Sequence, residues 1–400
     1  MITFEDLRDA HQRVRSVIRP TPVVRAHSLS RVAGRELLLK PEHLQRTGSY
    51  KVRGAHNLVS RLDPATVPGV VAASAGNHGQ GVALAASVSG IPATIFMPTG
   101  AALPKVDAVR GYGAEVRFAG HTVDDALEAA LAHASETGAT LVPPFDHPLV
   151  IAGQGTVGME VAEEAPNAEV VVVPVGGGGL ISGMAVALAH LRPGVRVIGV
   201  EAVGAASMRA SLDAGRCVTL PAVRTMADGI ALRCPSPLTF AHVRAYVDDV
   251  VTVTEEQISQ ALVLLLERAK AVVEPAGAVS LAAVLAGLVP GTGPVVAVLS
   301  GGNVDPLLLV KLIDHGLSSA GRYLMLRIVL GDRPGSLAAL TQRVADLELN
   351  VLSVEHHRTG ADLGVDEVEV LLTLETRGPV HRDDVVAALV ADGLRVDVVG

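Results

Sequence analysis

Lysine is the rarest charged residue of this 400-residue chain, with Lys40, Lys51, Lys105, Lys270 and Lys311 as the whole set. Lys51 sits in TGSYKVRGA, among Ser, Gly and short side chains. An amine there can form a Schiff base with a carbonyl when desolvation or a nearby cation lowers its pKa, and Arg53 is the cation at hand. A surface lysine at a helix start is the plainer alternative. ASAGNHGQG, residues 73–81, begins where a buried strand should end. Ser74, Gly76, Asn77, His78 and the backbone amides at a helix N-terminus suit a carboxylate. A tight strand-to-helix turn needs only Gly76, and His78 is given no catalytic role.

In VGGGGLISG, Gly176, Gly177, Gly178 and Gly179 follow a hydrophobic run. Each glycine costs backbone entropy, which argues against a packing role. Their main-chain amides can instead converge on a phosphate at the start of the next helix. A purely structural four-glycine turn stays open, and no Gly-Lys-Ser/Thr follows to make a nucleotide loop. SGGN places the Ser300 hydroxyl at a strand end, where it can bond a ring nitrogen, although a plain Gly-Gly loop fits as well. Glu274 in EPAGA reads by default as a helix-capping or first-turn acid. GQGTVG, residues 153–158, fits G-x-G-x-x-G but lacks a clear strand before it and an acid about 20 residues on, so it is set aside as a dinucleotide site. A rare lysine, a carboxylate nest, a phosphate cup and a ring-nitrogen partner together describe a pyridoxal phosphate (PLP) site.

These residues need elements to hold them. Strand expectations fall at 36–40, 69–73, 93–97, 115–118, 169–175, 195–200 and 295–299, with Ala-rich helical segments between. Alternation of strand, glycine turn and helix predicts an α/β body with a mainly parallel sheet, whose ligands sit at the carboxyl ends of the strands. The pattern changes near residue 320, where LSSAGR (317–322) reads as a linker. Beyond it the order is strand 323–330, helix 335–347, strand 350–358, strand 366–375, helix 380–392 and strand 394–399. That βαββαβ series is the ferredoxin-like unit. The predicted division is a catalytic body over 1–320, with a smaller subdomain near 45–145 inserted in it, and a regulatory unit over 321–400.

Composition narrows the function classes. A net charge of −8 and 2% aromatics argue against a nucleic-acid partner, which needs cationic surface and stacking rings. Mean hydropathy is positive, yet no apolar run reaches the ~18 residues of a membrane span. The acidic start MITFEDLRDA is unlike a signal peptide, and Cys217 and Cys234 are too few for a disulfide framework or a zinc site. The expectation is a soluble, cytoplasmic protein.

Taken in order, GSYKVRGA, ASAGNHGQG, IAGQGT, VGGGGL, EPAGA and SGGN resemble the fold-type II PLP enzymes, nearest the threonine dehydratase (threonine ammonia-lyase) and serine racemase group. DRPGSL (332–337) and NVLSVEHHR (350–358) resemble an ACT domain, an amino-acid sensor fused to such dehydratases. The resemblance implies that Lys51 holds the PLP aldehyde, with Tyr50 beside the ring and Asn77 on the phenolic oxygen. It also implies that Gly176–Gly179 cup the phosphate, Ser300 faces the ring nitrogen and Glu274 lies near the ring. Ser74, Gly76, Asn77 and His78 would bind the substrate carboxylate. Asp332, Gly335 and Asn350 are the effector candidates, with isoleucine first and valine second.

Two departures from the racemase pattern matter. Ala75 stands where a racemase has a second serine, and Phe145 replaces the asparagine after His-Pro. Both favour one-sided proton removal, hence β-elimination of L-threonine to 2-oxobutanoate and ammonia, with serine a poorer substrate. Relatives that bind a divalent cation use a Glu, a carbonyl and an Asp. Glu201 and Ala205 match the first two, but Ser207 replaces the Asp, so the expectation is weak, monovalent or no metal binding. The alternatives carried forward are a serine racemase, a hydroxyaspartate ammonia-lyase and a non-catalytic amino-acid sensor. A homodimer or homotetramer is expected.

Overall fold

The computed structural model describes residues 1–319, 321–358 and 363–399, and the chain divides into two compact units, Met1–Pro306 and Leu307–Gly400. In the first unit a six-stranded sheet runs, edge to edge, Val24–Arg25, Leu37–Lys40, Val295–Val298, Val170–Pro174, Arg196–Ala202 and Asp249–Val253. All neighbours are parallel except the two-residue edge strand Val24–Arg25. The central strands VVVVP and VVAV are buried throughout, because helices cover both faces of a parallel sheet. A second parallel sheet has the order Glu115–Phe118, Ala93–Met97, Val70–Ala73 and Thr140–Leu141. Val, Leu, Ile and Ala fill the core, with Met97, Met184 and Met208 in the gaps.

The sheet order positions the chemistry. Val295–Val298 lies between Leu37–Lys40 and Val170–Pro174. Parallel strands end on one side, so the segments leading to Lys51, Ser300 and Gly176–Gly179 leave the sheet side by side. The second sheet delivers Ser74–Asn77 from the end of Val70–Ala73 in the same way.

GQGTVG lies inside the 17-residue helix Pro148–Glu164 and does not form a loop. Its glycines let helices approach closely. A Cβ on Gly153 would stand 2.6 Å from Gly54 Cα, on Gly155 2.7 Å from the Gly183 carbonyl, and on Gly158 2.8 Å from Met184 Cα.

The helix Pro306–Ser319 spans the division between the units, so Leu317, Ser318 and Ser319 of the expected linker complete a helical turn, and Ala320 lies outside the described residues. An antiparallel sheet follows in the order Val351–His357, Glu367–Glu375, Tyr323–Gly331 and Arg395–Val398. Burial alternates along Tyr323–Gly331 and Glu367–Glu375, and the buried face packs on Leu340, Val344, Val385 and Leu389 of the helices Ser336–Asp346 and Pro379–Ala391. The connection is βαββαβ, ferredoxin-like.

Three strands were not anticipated: Val24–Arg25, Thr140–Leu141 and Asp249–Val253. The first two have two residues each. The third is followed directly by Thr254, whose capping box with Gln257 starts a helix with no glycine turn to mark the junction.

Candidate active site

Lys51 opens the helix Lys51–Val59, one residue after Tyr50. Its Nζ donates to the Pro144 carbonyl at 2.9 Å and lies 5.3 Å from the centre of the Tyr50 ring. Burial lowers the amine to about 8, with the Glu274 charge opposing. Arg53 does not play the part expected of it. Its guanidinium is fully enclosed and paired with Glu42 at 2.7 Å and Glu160 at 2.6 Å, with Thr156 accepting a further bond at 3.0 Å. A cation so neutralised is a structural tie, and desolvation is what lowers Lys51.

Two chain segments hold Lys51 from behind. Gly81 lies against it, since a Cβ there would stand 3.0 Å from the Lys51 carbonyl carbon. Residues 48–50 are laced to 300–302: Tyr50 N–H donates to the Ser300 carbonyl at 3.2 Å, Gly302 N–H donates to the Gly48 carbonyl at 2.9 Å, and Ser49 bridges Gly301. Ser300 is thereby fixed in the same wall as the lysine, buried at the end of Val295–Val298.

Asn77 begins the helix Asn77–Ser89, and its Nδ2 donates to Glu274 Oε1 at 2.6 Å. Glu274 precedes the helix Pro275–Leu285. Burial, and secondly the charge of Asp228, push its carboxyl up to about 7. Burial likewise raises the Tyr50 phenol, keeping it neutral. Ser74 Oγ accepts from the Gly76 N–H at 3.1 Å, shaping the turn into that helix. His78 turns its ring away, with Nε2 2.7 Å from the Val142 carbonyl. A carbonyl only accepts, so Nε2 carries the hydrogen, and burial drops the ring to about 3. What His78 offers a ligand is its main-chain N–H, among the first-turn donors of a helix that no earlier carbonyl satisfies.

The glycine run corrects an expectation, because packing does require these glycines. A Cβ on Gly177 would meet the Phe145 ring at 2.3 Å, on Gly179 Phe145 Cβ at 2.8 Å, on Gly178 Met208 Cε at 2.9 Å and on Gly176 Ile230 Cα at 3.0 Å. Gly178 also has a φ of 83°, which side-chain-bearing residues avoid. The helix Gly179–Leu191 follows, and its first internal bond runs from the Ser182 N–H to the Gly178 carbonyl. The N–H groups of Gly179, Leu180 and Ile181 precede that bond and suit a phosphate.

The residues present fit PLP. A partly buried amine hydrogen-bonded to a neutral carbonyl, a helix start with unsatisfied N–H groups, an amide and a hydroxyl at the strand end lie around one region of the unit. Lys105 and Asp228, paired at 2.9 Å, border the same region and carried no signal of their own in the sequence. A Cβ on Gly76 would be 3.7 Å from Lys105 Nζ.

Glu201 is fully buried and accepts from the Met208 and Arg209 N–H groups, each at 2.8 Å, so it caps the helix Ser207–Ala214. No group of three His, Cys, Asp or Glu suited to a metal occurs among the described residues. Asp332 and Gly335 lie where Tyr323–Gly331 ends, Gly331 being paired with Glu367. Asn350 donates to Glu375 at 3.1 Å, and Glu375 pairs with Tyr323 at the other end of that strand. Within one chain the three effector candidates are therefore split between opposite ends of the sheet.

Comparison with known proteins agrees with this geometry. The family model described as pyridoxal-phosphate dependent enzyme matches residues 14–301. The chain is 47% identical over 401 residues to an L-threonine ammonia-lyase of Thermotoga maritima, covering 100% of both. Among solved structures it is similar to the processed form of threonine deaminase isoform 2 from Solanum lycopersicum, with a TM-score of 0.74 and 38% identity over 78% of this chain and 87% of that one. It is also similar to maize serine racemase, with a TM-score of 0.74 and 35% identity over 79% of this chain and 98% of that one.

Proposed function

Because this chain belongs to the pyridoxal-phosphate dependent enzyme family, we propose that it catalyses the β-elimination of L-threonine to 2-oxobutanoate and ammonia, with L-serine giving pyruvate more slowly. The observation that carries the reading is Lys51, a partly buried amine lowered to about 8 inside a wall of Ser300, Asn77 and Glu274. Full-length likeness to an L-threonine ammonia-lyase supports the substrate.

PLP, when bound, supplies a sink for the electrons left as the Cα–H bond breaks. Lys51 Nζ is the group that takes the Cα proton, and the lowered pKa of about 8 leaves far more of it free base near neutrality than an ordinary lysine. The first-turn N–H groups from Asn77 onward hold the substrate carboxylate, with Ser74 shaping their turn. The Ser300 hydroxyl would partner the ring nitrogen without the charge that a carboxylate would place there. Neutral Tyr50 supplies a flat apolar wall beside the ring. The β-hydroxyl leaves as water, and the water returned on hydrolysis balances the release of ammonia.

Serine racemisation is the second reading, favoured by the likeness to maize serine racemase. Ala75 argues against it, because a methyl group cannot return a proton to the other face. Chiral analysis of serine after incubation separates the two.

Regulation and assembly belong to the same proposal. An amino acid, isoleucine first and valine second, binds the ACT-like unit at the loop carrying Asp332 and Gly335, and the enzyme is a homodimer or homotetramer. No helix among the described residues is long and apolar enough to cross a membrane. The test is 2-oxo acid release by PLP-loaded protein from L-threonine, L-serine and threo-3-hydroxyaspartate, each with and without isoleucine. Fastest release from threonine, slowed by isoleucine, is the expected result. Hydroxyaspartate as the best substrate overturns the substrate assignment, and indifference to every branched-chain amino acid overturns the regulatory one.

A further inference from the structure

The last residue of SGGN makes two hydrogen bonds that bear on the cofactor site. Asn303 Nδ2 donates to the Thr47 carbonyl at 2.7 Å and to Asn77 Oδ1 at 2.7 Å. Asn77 Nδ2 then donates to Glu274 Oε1 at 2.6 Å. The chain of bonds has an unambiguous end, since a backbone carbonyl can only accept. Thr47 therefore requires the nitrogen of Asn303 on its side, and that same NH2 group reaches Asn77. Asn77 must answer with its oxygen, which turns its own nitrogen to the opposite edge. An isolated amide has two nearly equal orientations, and here a neighbouring carbonyl selects one.

The surroundings support this arrangement. Thr47 has a φ of 66°, rare for a residue with a side chain. Gly48 leaves the room that Asn303 needs, since a Cβ there would stand 2.3 Å from Asn303 Oδ1. The pairing of Ser49 with Gly301 and of Gly302 with Gly48 holds the two segments in register.

We propose that Asn303 is a positioning residue for the cofactor: it holds the Asn77 amide so that an N–H, never the C=O, faces the phenolic oxygen of PLP. The inference rests on the reading of Asn77 as a cofactor residue. Asn77 Nδ2 has two hydrogens, one given to Glu274 and one left for that oxygen. A donor there stabilises the deprotonated oxygen, and a carbonyl there would repel it.

Asn303→Asp is the sharpest variant, because a carboxylate of the same size can donate neither bond. Asn77 then flips to donate to it, and Glu274, already held near pKa 7, can take a proton and donate to the exposed Asn77 oxygen. Asn303→Ala instead leaves Glu274 as the remaining partner that orients the Asn77 amide. The experiment titrates PLP into wild type, Asn303→Asp, Asn303→Ala, Asn77→Ala and the Asn77→Ala/Asn303→Asp and Asn77→Ala/Asn303→Ala doubles. It follows the visible cofactor band against pH, with apoprotein melting measured alongside.

The expected result for Asn303→Asp is cofactor affinity weaker by about tenfold or more and a pH midpoint of the band shifted upward, with a smaller change for Asn303→Ala. Both effects should vanish in the Asn77→Ala background. If Asn303→Asp does not fold, the Asn303→Ala cycle decides the matter alone. A folded variant with wild-type affinity and midpoint overturns the proposal. So does an effect of equal size with and without Asn77, or a lower melting temperature with no change in the band. Threonine turnover has no part in the readout, so a failure of the substrate assignment and a failure of this inference are separate results.

Discussion

Gly177 and Phe145 are in mutual contact so close that a methyl group on the glycine would stand 2.3 Å from ring carbon Cδ1. The ring backs the turn proposed to hold the phosphate, so the glycine and the aromatic form one packing unit. Gly177→Ala should push the ring aside, cost about 1–3 kcal/mol of stability and weaken PLP binding. Adding Phe145→Ala should recover much of the cofactor affinity. Thermal melting and a PLP titration check both statements, and a double variant no better than the single one would break the link.

Lys51→Ala should abolish 2-oxo acid release while leaving the fold intact, as seen by circular dichroism. Borohydride treatment should fix the cofactor to wild type and not to the variant. Retained turnover in Lys51→Ala would sink the mechanism.

Glu274 gives a pH dependence of known sign. Its carboxyl is raised from 4.5 to about 7 in the folded protein, by burial first and Asp228 second. Between those values the folded state holds a proton that the unfolded chain has released. Stability of the cofactor-free protein therefore falls as pH rises from 4.5 to about 7, by at most about 1.4 kcal/mol per pH unit from this group. Glu274→Gln should flatten that part of the curve in urea denaturation.

Lys51 acts in the opposite sense at higher pH, because burial lowers it from 10.5 to about 8. The unfolded chain is then the state that holds more protons, so stability rises from about pH 8 to 10.5. Lys51→Met should remove that rise in the same denaturation series.

Arg53 and Glu42 are both fully enclosed, and Arg53 lies two residues from Lys51 on one helix. Arg53→Met should cost about 3–5 kcal/mol, since it leaves the Glu42 carboxylate buried without its cation. Removing both charges, as Arg53→Met/Glu42→Gln, should cost much less. Chemical denaturation of the three proteins decides it, and equal losses in single and double variants would contradict the pairing.

Much of the architecture was legible along the chain because its signals are local. Val-rich runs ending in glycine mark strand ends, so the strands at 70–73, 170–174 and 295–298 and the turns after them stand out in the sequence. Alternating burial on one side of 323–331 and 367–375 is written in the same way. Asp249–Val253 escaped because a capping threonine follows it in place of a glycine.

The sequence by itself determined that Lys51, the glycine run and Ser300 sit at the ends of elements, since turn chemistry is set by a few neighbouring residues. Only the tertiary structure decided which elements stand side by side. Strand order comes from packing the helices of each unit onto its sheets at once, and no short pattern encodes it. Asn303 meets Asn77 across 226 positions of sequence, and Arg53 meets Glu160 across 107. The four glycines read as a ligand loop along the chain, yet Phe145, Met208 and Ile230 press against them from other segments. Steric fit depends on atoms brought together by folding, and so the reason for those glycines could be read only after the chain had closed on itself.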